Sequence, residues 1–180
     1  CDYVMQQAVR VLGRVHDGDL PFDRTVQVSV TDRLEKEQIL GRLPHNLRTL
    51  KILLRRNRRD YRVATSKSRP LRDRREAWRR LGRCRKRAVR LIEELGLRTQ
   101  RIEPLIGTLE EFSRRVDELR DRIDQHRKMG GLLEEREAWT IEFRNILRAT
   151  QETPTSLRNR IRFLKSVYAQ YQEAKRGLSE

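Results

Sequence analysis

Leu105-Ile106-Gly107-Thr108-Leu109-Glu110-Glu111-Phe112-Ser113-Arg114-Arg115-Val116-Asp117-Glu118-Leu119-Arg120-Asp121-Arg122-Ile123 decides how this sequence is to be read. Its apolar side chains fall at Leu105, Leu109, Phe112, Val116, Leu119 and Ile123, in steps of 4, 3, 4, 3 and 4. That spacing lines one edge of a helix with an a/d-like seam. Arg114, Arg115, Glu118, Arg120 and Asp121 fill the outer positions. Pro104 is tolerated in the first turn of such a helix, and Gly130-Gly131 ends it and permits reversal. Trp139, Phe143 and Ile146 mark a helix returning antiparallel. Thr153-Pro154 then supplies an N-cap with proline at the first helical position, before Leu157, Ile161, Leu164, Tyr168, Tyr171 and Leu178.

The same period runs toward the N-terminus. Val4, Ala8, Val11 and Val15 predict a helix that ends at Asp17-Gly18-Asp19, with Pro21 forbidding continuation. Val26, Val28 and Val30 alternate with polar residues and predict one short extended segment, which without a second strand is expected to lie along helices. Thr31 or Asp32 can cap a short helix through Leu40, and Asp32 with Glu35 has capping-box spacing. A separate helix is expected from Pro44, with Leu43, Leu47, Leu50, Leu54 and Tyr61 inward. Residues 65–70 read as the clearest linker, because Pro70 disfavours helical geometry at Arg69. A second basic helix follows with Ala77, Trp78, Leu81, Cys84, Ala88, Leu91 and Leu95 inward, and Gly96 as its stop. The expectation is an all-α protein, an elongated bundle of long antiparallel helices. Residues 1–66 would form an N-terminal part and 67–180 a long-helix part, with the hairpin of 42–95 spanning the boundary. Each stripe is narrow, so the core is expected to be thin, with Trp78 and Trp139 as its anchors.

Composition sharpens the chemistry. Across 180 residues, 36% are apolar and 38% charged, against about 45–50% and about 25% in ordinary domains. No run approaches the ~18 apolar residues of a membrane span. Nine glycines and five prolines are too few for a turn-rich β-sandwich. Two cysteines, Cys1 and Cys84, are too few for a disulfide framework or a cysteine zinc site; their spacing allows a pair, but a reducing, cytoplasmic setting needs fewer assumptions and is expected. The chain begins at Cys1 and its last segment lacks a helix stop, so it is expected to be a piece of something larger. The net charge is +16, and it is concentrated. Residues 42–90 hold 20 bases and three acids, Asp60, Asp73 and Glu76, whereas the other 131 hold 22 bases and 23 acids. A one-signed excess repels itself in a compact fold, and phosphate or an acidic protein surface relieves it.

Catalytic signals are nearly empty. His16, His45 and His126 lie in three different segments without a second His at metal-site spacing. No glycine-rich phosphate loop occurs. Glu93-Glu94, Glu110-Glu111 and Glu134-Glu135 are adjacent on helices and diverge by about 100°, whereas acid–base catalysis needs converging groups. An enzyme, a small-molecule substrate, a cofactor and a metal are therefore not expected.

Tyr171-Gln172-Glu173-Ala174-Lys175-Arg176-Gly177-Leu178-Ser179-Glu180 resembles the opening of the core-binding region of primary bacterial sigma factors. In that family a similar run leads into Asn-Leu-Arg-Leu-Val, before which this sequence stops. Arg85-Lys86-Arg87-Ala88-Val89-Arg90-Leu91-Ile92-Glu93-Glu94-Leu95-Gly96-Leu97, with Ile102-Glu103-Pro104-Leu105, resembles the helical segment between sigma regions 1.2 and 2.1. So does Thr31-Asp32-Arg33-Leu34-Glu35-Lys36-Glu37-Gln38-Ile39-Leu40-Gly41-Arg42-Leu43-Pro44. The resemblance implies a subunit of the transcription machinery with core RNA polymerase and promoter DNA as partners. It also implies that residues 156–180, with Tyr171, Glu173, Lys175 and Arg176, begin the core-binding region. Some relatives carry a long acidic insertion here, whereas this spacer is basic.

Independently of the resemblance, Arg55, Arg56, Arg58, Arg59, Arg62, Arg79, Arg80, Arg83, Arg85 and Arg87 are expected to form a basic surface. It would face DNA phosphates, positioning without specifying sequence, or an acidic face of polymerase. Two other classes compete: an independent helical nucleic-acid-binding protein, and a coiled-coil adaptor that binds through the Leu105–Ile123 seam.

Overall fold

The computed structural model describes residues 1–28, 33–130 and 132–178. They are all-α, with seven helices and no strand among the described residues. None of these helices is long and apolar enough to cross a membrane. The chain divides into two compact units, Cys1–Ile102 and Glu103–Glu180. The division expected at residues 66 and 67 instead falls within a hairpin of the first unit, because the helices on either side of that linker pack on each other.

In the first unit, α1 (Asp2–His16) buries Met5, Ala8, Val9, Leu12 and Val15. The buried arc centres on Leu12 rather than on the Val4/Val11 line, since α1 meets both long helices of its unit and needs a wider apolar face. It stops where Gly18 takes φ +84, a conformation open to glycine at no steric cost. A single turn, α2 (Phe22–Thr25), starts after Pro21.

Two expectations fail here for physical reasons. Val26 is extended, but it does not simply lie along helices; it forms an antiparallel bridge with Leu97. The Gln27 N–H donates to the Gly96 carbonyl at 2.7 Å, and the Arg98 N–H donates to the Thr25 carbonyl at 2.9 Å. A buried backbone needs such partners, and Val26 is 1% exposed. Val30 and the Thr31 or Asp32 cap lie outside the described residues. The break expected before Pro44 is also absent, for α3 (Arg33–Thr65) runs through it. Pro44 is exposed, while Ile39, Leu43 and Leu47, on the face beside it, are buried in the shared core. That packing outweighs the ~3 kcal/mol an interior proline costs.

The linker after Thr65 is as expected, and α4 (Leu71–Glu94) starts behind Pro70. Ala77, Leu81, Ala88 and Leu95 are fully buried, and Ile92 is buried beside them. Trp78 is half-buried, its ring edge-on to Tyr61 at 6.2 Å. The core joins α1, α3, α4 and Val26, with Leu12, Leu43, Leu50 and Leu95 at most 1% exposed.

Gly96 closes α4 with φ +65, and a Cβ there would stand 3.1 Å from the Gln27 carbonyl oxygen and 3.3 Å from a Val26 methyl. Gly96→Ala is expected to lower stability by roughly 1–2 kcal/mol from the left-handed backbone, with the crowded Val26–Leu97 pairing adding to it. Urea unfolding followed by circular dichroism measures this; an unchanged midpoint would show that the pairing is dispensable.

In the second unit, α5 (Glu103–Met129), α6 (Leu133–Thr150) and α7 (Pro154–Gly177) follow one another. Of the α5 seam, Leu109, Val116 and Leu119 are buried, while Leu105, Phe112 and Ile123 are half-buried. Leu157 and Ile161 of α7 complete a thin core. Thr153 caps α7 reciprocally with Ser156, and Pro154 follows it. Glu152, 1% exposed, accepts from the Ser156 hydroxyl at 2.6 Å and from Arg160 Nε at 2.7 Å. Trp139 is half-buried, with His126 edge-on at 5.3 Å and the Arg122 guanidinium 6.0 Å from the ring.

Candidate nucleic-acid interface

A helix that buries one arc turns the rest of its circumference to solvent. On α3 the buried positions between Leu43 and Ala64 form one continuous face, so Arg55, Arg56, Arg58, Arg59 and Arg62 are all exposed. On α4 the small buried residues Ala77 and Ala88 let the helix lie close to its neighbours. Its arginines then divide: Arg79, Arg83 and Arg87 are exposed, and Arg80 and Arg85 are not fully so.

Those two differ because each has found a carboxylate. Arg80 pairs with Asp60 at 2.9 Å and with Glu76 at 3.3 Å. The hydrogen bond to Asp60 holds its guanidinium above the ordinary arginine range. Arg85, with a side chain 14% exposed, reaches Asp2 at 3.5 Å. Asp2 is 1% exposed and also accepts from Asn57 Nδ2 at 3.0 Å. Burial pushes the Asp2 carboxyl above its usual range, and the Arg85 charge opposes that push. Arg85 is therefore an internal tie between α4 and the start of α1, not part of a contact surface. The other eight arginines form no salt bridge with a carboxylate among the described residues.

Four of those eight line grooves on the two sides of α3, and Arg55 and Arg59 stand one turn apart on its exposed face. Arg56 and Arg59 line a shallow groove between α3 and α4 with Arg80, Arg83, Asp60 and Cys84. Arg55 and Arg58 line a second groove, between α3 and α1, with Arg10, Lys51, Gln6, Val9 and Leu54. Arg62, Arg79 and Arg87 line neither groove. Arg10 was missed by sequence reading, since it lies outside the basic stretch of residues 42–90; its place in the same groove as Arg58 gives it a role.

The second unit handles charge differently. Arg115 forms a two-pronged pair with Glu142 at 2.6 and 2.8 Å, Arg158 reaches Asp117 at 2.6 Å, and Lys165 reaches Glu110 at 3.1 Å. Glu142 is held below its usual carboxylate range by Arg115. Tyr171, Glu173, Lys175 and Arg176 occupy the last turns of α7 and are exposed, with Tyr171 tilted against Tyr168 at 6.4 Å. His126 Nε2 lies 3.5 Å from Glu135, and no group of three metal-binding side chains stands together among the described residues. Compared with family models, curated proteins and solved structures, the chain matches none.

Proposed function

We propose that this chain is the helical spacer of a primary bacterial sigma factor, running into the start of its core-binding region. In that role the first unit offers a cationic surface to promoter DNA phosphates, and α7 leads toward core RNA polymerase. The observation that carries the nucleic-acid part is the set of eight arginines on α3 and α4 without a carboxylate partner among the described residues. The run from Tyr171 to Glu180 supports the sigma part. Backbone phosphates attract such a surface at any sequence and hold the DNA in register without reading it. The reading implies a cytoplasmic protein with no catalytic step of its own.

The experiment is a pair of binding measurements on the 180-residue chain. Affinity for a DNA duplex should fall linearly with salt on a log–log scale, by about 0.9 per phosphate engaged, and the chain should co-purify with core polymerase. Salt-dependent DNA binding without polymerase association would identify an independent nucleic-acid-binding protein. Salt-insensitive binding of a partner through the α5 seam would identify an adaptor. Either outcome replaces the sigma reading.

A further inference from the structure

The pairs that tie α5 to α6 leave one side of that hairpin cationic. The two helices run antiparallel, with Arg115 paired to Glu142 near one end and His126 beside Glu135 near the other. At about 100° per residue, Glu135 and Glu142 lie about 180–200° around α6 from Leu133. Arg136, Thr140, Ile141 and Arg144 lie within about 80° of it. These four line an open groove with Ile123 and Arg127 of α5. Glu137 is the one acid in the lining, against three arginines. None of those arginines forms a salt bridge with a carboxylate among the described residues. Apolar surface runs between them: Ile141 is 57% exposed and Leu133, one turn before the groove, is 63% exposed.

We infer that this groove receives an acidic amphipathic helix of a partner protein. Its apolar edge rests on Ile123, Leu133 and Ile141, and its carboxylates meet Arg127, Arg136 and Arg144. The inference goes beyond the phosphate- and polymerase-binding reading and does not rest on it, for none of these residues belongs to the first unit or to α7. Two antiparallel helices present a furrow into which the side chains of a third can pack. Residues 133–144 span about 17 Å at the helical rise, or three turns, room for the i, i+3/i+4 and i+7 anchors of a helix seated in a groove. Charge selects the occupant. A neutral or basic helix would cover the three guanidinium groups without pairing them, which is costly. A second copy joined at the same face would set arginine against arginine. Phosphate would satisfy the arginines but leave Leu133 and Ile141 in water, and adjacent exposed apolar residues mark a protein contact.

Fluorescence anisotropy on the 180-residue chain at about 50 mM salt tests this with three labelled peptides of about 16 residues, long enough to hold a helix. One carries leucines along one face and glutamates on both flanks. The second has the same composition scrambled out of helical period, and the third has lysine for glutamate. The first should bind at least about tenfold tighter than either other. Arg127→Glu with Arg144→Glu should weaken it about tenfold, with the deficit shrinking as salt rises. Arg127→Gln with Arg144→Gln should give a smaller loss of the same salt dependence. Ile141→Ser should weaken binding about fivefold at every salt concentration, since it removes apolar contact only. Arg127, Ile141 and Arg144 are exposed, so helicity by circular dichroism should not change. Arg55→Glu with Arg58→Glu, in the first unit, should leave the affinity within about twofold, because those charges lie outside the groove. Equal binding of the scrambled peptide overturns the inference, as does an unchanged affinity in the groove variants or an equal loss from the α3 pair. Failure of all three peptides to bind overturns it too. Duplex DNA binding is a separate readout: its absence overturns the phosphate reading and leaves this inference standing.

Discussion

Arg85→Met is expected to destabilise the first unit by about 3–5 kcal/mol at neutral pH, the usual cost of stranding a buried charge. Arg85 reaches Asp2 at 3.5 Å, and the Asp2 carboxyl is 1% exposed. Methionine fills much of the same volume, so the loss reflects charge rather than a cavity. The effect should depend on pH, and its direction follows from Asp2. Burial already raises the folded-state pKa of this carboxyl above the ordinary 3.8, so the folded chain holds the proton more tightly than the unfolded chain. Stability from that proton is fully present below the unfolded pKa and fades as pH rises through the folded one. Removing Arg85 raises the folded pKa further. The gap between variant and parent should therefore be widest near pH 7 and narrow as the solution approaches the ordinary carboxylate range. Asp2→Asn in the same chain should recover much of the loss, because a neutral side chain needs no guanidinium. Urea unfolding followed by Trp78 fluorescence, in a Trp139→Phe background, isolates the first unit. A gap of the same size at pH 7 and about pH 4.5 would show that Arg85 acts through packing alone.

Local patterns and long-range ones were not equally legible. Helix ends were readable because their causes are local: Gly96 and Gly18 adopt positive φ, and Thr153 caps with Ser156 three residues on. The α5 seam was readable for the same reason, since its period lies within one helix. Pro44 misled because local propensity argues for a break, while buried Ile39, Leu43 and Leu47 hold both sides of it in one line. The fate of Arg80 and Arg85 was invisible for a related reason. Ten arginines read alike along the sequence, but Asp60 and Asp2 approach two of them only once α3, α4 and α1 are packed together. The charge surplus of residues 42–90 was countable. Which of those cations keep no carboxylate partner was not, because that depends on which acids the packing of α1, α3 and α4 brings near.

The largest functional effect should come from Arg55→Glu, Arg58→Glu and Arg59→Glu combined. All three are exposed along just over one turn of α3, and none forms a salt bridge with a carboxylate among the described residues. Their reversal removes three cations and adds three anions without disturbing a buried contact. If each engages one phosphate, the log–log salt slope should flatten by about 2.7, at 0.9 per phosphate. Affinity for duplex DNA should fall by about 100-fold or more at about 50 mM salt, and the deficit should shrink as salt rises. The salt behaviour separates this from damage to the fold, because a misfolded fraction lowers apparent affinity by the same factor at every salt concentration. Charge-preserving Arg→Lys changes at the same positions should keep most of the slope, since lysine still neutralises a phosphate as a point charge. Reversal of Arg114 in the second unit, which already pairs with Glu118, provides the contrast and should leave the slope unchanged. A triple variant that binds duplex DNA with the parent's affinity and slope would mean that the exposed arginines of α3 face something other than phosphate. An acidic face of polymerase, tested by crosslinking from Arg83, would then be the surface they meet.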